Sequence, residues 1–172
     1  MKHVTWLAAG ILTLALMGAS TVWAAETAHA DLKDAQGQSV GMATLEQTPH
    51  GVLIHLDITN LPPGTHAFHI HEAGKCEPPF KSAGGHFNPM GKQHGMMNPK
   101  GMHAGDAPNI TVPEGGKLKA DVLAAGVTLG KGKNSLFHEG GTSLVVHAAA
   151  DDYKSDPAGN AGDRIACGVI MK

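Results

Sequence analysis

Three observations predict an all-β domain: clean alternation at 52–58, a content of 23 glycines and 10 prolines, and little helical periodicity beyond the N-terminus. In Val52-Leu53-Ile54-His55-Leu56-Asp57-Ile58, the residues Val52, Ile54, Leu56 and Ile58 fall on one face, and His55 and Asp57 on the other. That is the pattern of a half-buried strand. Weaker signals mark further strands at 30–34, 39–47, 67–71, 117–123, 125–129, 143–148 and 164–170. Eight strands suit a closed antiparallel barrel. Pro62-Pro63-Gly64 and Gly115-Gly116 punctuate them as turns. Aromatic residues make up 4% of the chain, so aliphatic side chains must fill the core. A length of 172 residues fits one domain, and neither a repeat nor a linker interrupts it.

The N-terminus sets the compartment. Lys2 is followed by an apolar run at 4–16, the small residues Gly18-Ala19-Ser20, and Val22-x-Ala24 as a cleavage site. Residues 1–24 therefore read as a secretory signal peptide and 25–172 as the mature domain. An uncleaved anchor is the alternative, because the apolar character continues through Trp23 and Ala25. Both readings export the domain; the periplasm is the expected location, with no stable membrane association after cleavage. In an oxidising compartment the pair Cys76 and Cys167 reads as a disulfide. Removing Lys2 from 13 basic residues against 15 acidic ones leaves a net charge of about −3. Nucleic-acid binding thus has no electrostatic footprint.

Two stretches, 74–113 and 149–163, do not read as strands; long irregular loops in a compact domain are usually functional or disordered, and the several metal-ligating residue types in the first favour function. Met90, Met96, Met97 and Met102 in the first are read as loop filler rather than thioether ligands for copper. Histidine is the unusual residue, with 12 in the chain. His69 and His71 are two apart in a strand-like run, so both rings leave one face and can converge on one ion. His86, His94, His103 and Asp106 follow in the glycine-rich loop, and His147 ends the apolar run at 143–146. A tetrahedral His and Asp set suits zinc, and an imidazole-only tetragonal site suits copper(II). Spacing leaves open which rings share a metal. The zincin pattern fails, because Lys75 stands where a second histidine would follow His71-Glu72, and Thr142 where one would follow His138-Glu139.

The runs GTHAFHIHEAGKC, SAGGHFNP, HAGDAPN, SLVVHAAADD and GNAGDRIACGVI together closely resemble copper/zinc superoxide dismutase, in order over nearly the whole mature chain. The resemblance implies an eight-stranded Greek-key barrel, the sandwich-like architecture already associated with this family. It implies copper held by His69, His71, His86 and His147, and zinc by His86, His94, His103 and Asp106, with His86 bridging the two ions. Asp151 matches the aspartate that orients His69 and His94 from behind, and Asp152 reads as a solvated carboxylate. Arg164 matches the arginine that attracts the substrate anion. The Cys76–Cys167 bridge would tie the ligand loop to the strand beside Arg164. The implied reaction converts two superoxide radicals into oxygen and hydrogen peroxide, with His86 supplying a proton.

His50, His55, His66 and His138 match no ligand position and read as surface or turn residues. Ala67 stands where glycine is common in the family, residues 77–81 lie in a stretch of variable length, and 149–163 keeps only Lys154 as a basic residue. A non-catalytic copper-storage module and a purely structural barrel are the competing functions. Metal content together with superoxide turnover separates the three. The family includes monomers and dimers, so a homodimer is compatible with the resemblance.

Overall fold

The computed structural model describes residues 25–172, so the expected signal peptide at 1–24 lies outside the described residues. Among the described residues there are nine strands: β1 (Thr27–Asp34), β2 (Ser39–Thr48), β3 (Gly51–Ile58), β4 (Gly64–His66), β5 (Phe68–His71), β6 (Ile110–Val112), β7 (Leu118–Ala124), β8 (Ser143–His147) and β9 (Arg164–Val169). Seven make one curled antiparallel sheet in the order β5-β8-β9-β1-β2-β3-β7, and β4 pairs with β6 alone. The return of β9 to the flank of β1, with β8 between β9 and β5, is the Greek-key order that the resemblance implied.

Alternation builds the core. Val52, Ile54, Leu56 and Ile58 of β3 are all buried with Leu32, Leu45 and Leu144 in one aliphatic cluster, as the 52–58 pattern predicted. Each such side chain contributes about 1.5–3 kcal/mol when fully removed from water. The opposite face of β3 carries His55, whose Nδ1 lies 2.7 Å from Asp121 of β7 across the ladder.

The strands β5 and β8 differ, because all their residues are buried. Phe68 and Ile70 point into the aliphatic cluster, and so do Leu144 and Val146. The other face holds His69 and His71, opposite Val145 and Ser143 in the ladder. Val145 belongs instead to a small cluster with Phe80, Ala83 and Cys167. The segments 72–109 and 149–163 fold over this outer face, which is why imidazoles on the outside of the sheet are still buried. Backbone bonds clasp the first segment to β5: Ile70 N–H donates to Gly105, Gly105 N–H to Phe87, and Phe87 N–H to Ile70, each at 2.9 Å. A Cβ at Gly105 would collide with the Ile70 carbonyl oxygen, so glycine is required there.

Three expectations need correction. Residues 125–129 form no strand: Val127 and Leu129 are buried in the core, but from a turn in which Thr128 meets Ser135 in a single backbone pairing. The segment 74–113 does contain a strand, β6, whose partner β4 begins at Gly64, within the stretch that reads as a turn. His66 is no surface residue; it is 4% exposed, with Nδ1 2.8 Å from the His147 carbonyl and Nε2 2.9 Å from that of Pro62. His138 is also partly sheltered, its ring stacked on Phe87 at 5.1 Å.

Candidate metal centre

Seven donors arrive from three places in the chain: His69 and His71 from β5, His147 from the end of β8, and His86, His94, His103 and Asp106 from the loop between β5 and β6. All seven are buried. They resolve into the two groups His69, His71, His86, His147 and His86, His94, His103, Asp106, each with one donor atom per residue within 4.8 Å of the others.

In the second group, Oδ1 of Asp106 is 2.8 Å from His86 Nδ1, 3.0 Å from His94 Nδ1 and 3.2 Å from His103 Nδ1. His103 Nδ1 lies 3.4 Å from His86 Nδ1. Donors around a tetrahedral ion with bonds of about 2.0–2.1 Å stand about 3.3 Å apart, so these separations fit a zinc-sized cation. The other oxygen, Oδ2, accepts the N–H groups of Gly95 at 2.9 Å and His103 at 3.0 Å, which fixes the carboxylate.

In the first group, His71 Nε2 lies 3.4 Å from His147 Nε2. His69 Nδ1 and His86 Nε2 are buried with no hydrogen-bond partner among the described residues. A buried ring nitrogen without a partner is costly, and a metal ion at these two atoms removes the cost. His86 thus turns one nitrogen to the carboxylate group and the other to the imidazole group, the disposition of a ring shared by two ions.

The distal nitrogens are held from behind. His69 Nε2–H donates to Asp151 Oδ2 at 2.8 Å, and His94 Nε2–H to Asp151 Oδ1 at 3.0 Å, so one carboxylate joins the two groups. His71 Nδ1–H donates to the Gly84 carbonyl at 3.0 Å. These contacts select the tautomer that frees the opposite nitrogen for a metal. Gly159 stands against this junction at φ +64, and a Cβ there would overlap the Asp151 carboxylate and come within 2.8 Å of His94 Nε2. Arg164 donates from Nη1 to the Phe80 carbonyl and from Nη2 to the Gly84 carbonyl, both at 2.6 Å. The same Gly84 oxygen therefore serves Arg164 and His71.

Protonation divides along the same line. Burial outweighs the Asp106 hydrogen bond at His86 and lowers its pKa to about 4. Burial and the neighbouring imidazoles lower His147 to about 3, and burial also lowers His71. Those rings are neutral, as metal ligands must be. At His94 burial opposes the charge, but the hydrogen bonds its ring donates to Asp106 and Asp151 overcome it and raise the pKa to about 9. Burial would raise Asp106, yet the bonds from His103, His86 and His94 hold it far below the usual carboxylate range. Asp151 is likewise lowered against its burial, by His69 and His94.

Cys76 and Cys167 are bonded, closing a sequence separation of 91 residues. Asp152 is exposed as expected, but its carboxylate organises its own loop by accepting bonds from Lys154, Ser155 and Asn160. Met90, Met96, Met97 and Met102 are all solvent-exposed. Residue types and spacing gave no role to Asn109, Tyr153 or Asp156, although each contacts the centre's frame. Tyr153 is the single tyrosine of the chain, the one signal that could have drawn attention to it.

A family model described as copper/zinc superoxide dismutase (SODC) matches residues 39–170. Two proteins of Aquifex aeolicus named Superoxide dismutase [Cu-Zn] 1 and 2 are each 61% identical, over 145 and 146 residues. The alignments cover 83% of this chain and 86% and 85% of theirs. Among solved structures, a mutant of the SOD-like protein from Bacillus subtilis superposes with a TM-score of 0.80 at 42% identity, covering 84% of this chain and 97% of that one. The Cu/Zn superoxide dismutase from Brucella abortus gives 0.68 at 30% identity, covering 85% and 100%.

Proposed function

Because the chain belongs to the copper/zinc superoxide dismutase family, we propose that copper is bound by His69, His71, His86 and His147 and zinc by His86, His94, His103 and Asp106. The protein is a superoxide dismutase, an oxidoreductase whose metals are copper and zinc and whose substrate is superoxide. Two superoxide radicals and two protons become one O2 and one H2O2. What supports the division of donors is the His86 ring, with Nδ1 beside Asp106 and a buried, partnerless Nε2 among the other imidazoles.

Copper, when bound, supplies the one-electron exchange, and zinc supplies fixed positive charge without redox activity. The chain's own residues do the remainder. Arg164 uses two N–H groups to anchor itself on Phe80 and Gly84, and its remaining donors and permanent charge draw in superoxide. Asp151 holds His69 and His94 in fixed orientation, and Gly84 does so for His71. When its Nε2 is not occupied by copper, His86 would take up a proton there and deliver it as hydrogen peroxide forms.

The test is a copper-loaded His86→Ala protein. Turnover should fall by about 100-fold, the lower range for loss of a positioned acid; full activity with copper still bound would remove the proposed role. The wild-type chain should carry one copper and one zinc. Export to the periplasm with cleavage after Ala24 completes the reading, supported by the pattern of residues 1–24, and a mature N-terminus at Ala25 checks it. Sedimentation of the metal-loaded protein decides whether it forms the homodimer compatible with its family.

A further inference from the structure

Each oxygen of the Asp151 carboxylate is committed to a ring of a different donor group, so a small change in its direction disturbs both groups. Asp151 belongs to the irregular segment 149–163, with no strand ladder of its own to fix it. Two residues that ligate nothing take over that work. The Asn109 side chain accepts the Asp151 N–H through Oδ1 at 2.8 Å and donates from Nδ2 to the Asp151 carbonyl at 3.0 Å. Both backbone groups of one residue are thus gripped by one carboxamide, as a neighbouring strand would grip them. Asn109 directly precedes β6, which is anchored on β4, and follows the donor Asp106 by three residues.

Tyr153 closes the circuit. Its N–H donates to Asp151 Oδ1 at 2.6 Å, its hydroxyl oxygen accepts the Asn109 N–H at 2.8 Å, and its carbonyl accepts the Met97 N–H at 3.0 Å. Met97 lies two residues from Gly95, whose own N–H donates to Asp106 Oδ2. The backbone at Tyr153 is left-handed, with φ 62, a conformation that a non-glycine residue holds only when its surroundings fix it.

We propose that Asn109 and Tyr153 are positioning residues that set the Asp151 carboxylate between the two metals, so that zinc retention and the geometry at copper are governed together by one clamp. Resting on the donor division argued above, the inference names residues outside every ligand set. A purely packing role for the same two residues would lower thermal stability and leave the metals as they are.

The experiment uses the full metal-loaded chain and the variants Asn109→Ala and Tyr153→Phe. Zinc loss to a chelator should accelerate about 10-fold or more in Asn109→Ala, in the range found when partners behind metal ligands are removed. The Cu(II) paramagnetic resonance spectrum should change in the same variant. Tyr153→Phe keeps the ring and removes one acceptor, so the same two readouts should move in the same direction by less. Wild-type zinc loss and a wild-type copper spectrum in Asn109→Ala, with only the melting temperature lowered, would overturn the proposal. Should Asn109→Ala not fold, unchanged zinc loss and copper spectrum in Tyr153→Phe would overturn it equally. One tightly held zinc in Asp106→Ala would instead remove the donor division, a result separable from the first two.

Discussion

Replacing Cys76 and Cys167 together by serine tests how far the fold and the placement of Arg164, proposed to attract superoxide, depend on one covalent link. The bond spans 91 residues. In the chain-entropy relation, a closed loop of that size lowers denatured-chain entropy by about 15.5 cal/mol/K, or about 4.6 kcal/mol at 25 °C. That is an upper guide, because removal of native bridges typically costs about 2–5 kcal/mol. With a urea slope of about 2 kcal/mol/M, the midpoint of the metal-free double variant should move down by about 1–2 M. The local effect is separate. Cys76 tethers the turn whose Phe80 and Gly84 carbonyls hold the Arg164 guanidinium, and Cys167 lies three residues beyond Arg164. Activity per bound copper should therefore fall, by about 10-fold or more if the guanidinium shifts by as much as 1 Å. A midpoint within about 0.3 M of wild type together with full specific activity would refute both parts of the reasoning.

Arg164→Ala should reduce the second-order rate with superoxide by about 10-fold or more, and should flatten its decline with added salt, whereas Arg164→Lys keeps the charge and loses the two-carbonyl anchor, giving an intermediate rate. Pulse radiolysis at several ionic strengths reads both, and an unchanged salt profile in Arg164→Ala would refute the steering role. In the metal-free chain, His94 is raised to about 9, so its stabilisation is complete below about 6.5 and lost as pH rises through about 9. His86 and His147, lowered to about 4 and about 3, contribute above about 6.5 and lose that contribution as pH falls. Urea unfolding of the metal-free protein should accordingly be most difficult near pH 6.5, and a monotonic rise to pH 9 would contradict the His94 assignment. Zinc binding at neutral pH should also release a proton from His94, measurable by calorimetry in two buffers of different ionisation heat.

The legible part of the fold is the part governed by period-two patterning. In β3 one face is entirely aliphatic and buried, and its bounds can be read nearly to the residue. Residues 125–129 mislead for a physical reason: Val127 and Leu129 are buried with the spacing of a strand, yet Gly126 lets the chain turn tightly against Ala104 and no ladder forms. The strands β4 and β6 have three residues each, too few for any periodicity to show. Within the site, the His69 and His71 pair is legible because a strand fixes its geometry, and the loop donors because their residue types are uncommon together. Histidine identity alone does not separate His66, which uses its two nitrogens on carbonyl oxygens, from the rings proposed to bind metal. The bonds that join Asn109 to Asp151 and to Tyr153 span 42 and 44 residues of chain, and no local pattern encodes those.

Strand β5 carries Phe68 and Ile70 on one side and His69 and His71 on the other within four consecutive residues. A slip of one position against β8 would drive both imidazoles into hydrocarbon and leave the phenyl and butyl groups facing the proposed metal sites. Misthreading and failure to metallate are therefore the same error, and a chain able to assemble the redox centre has already proofread its own register.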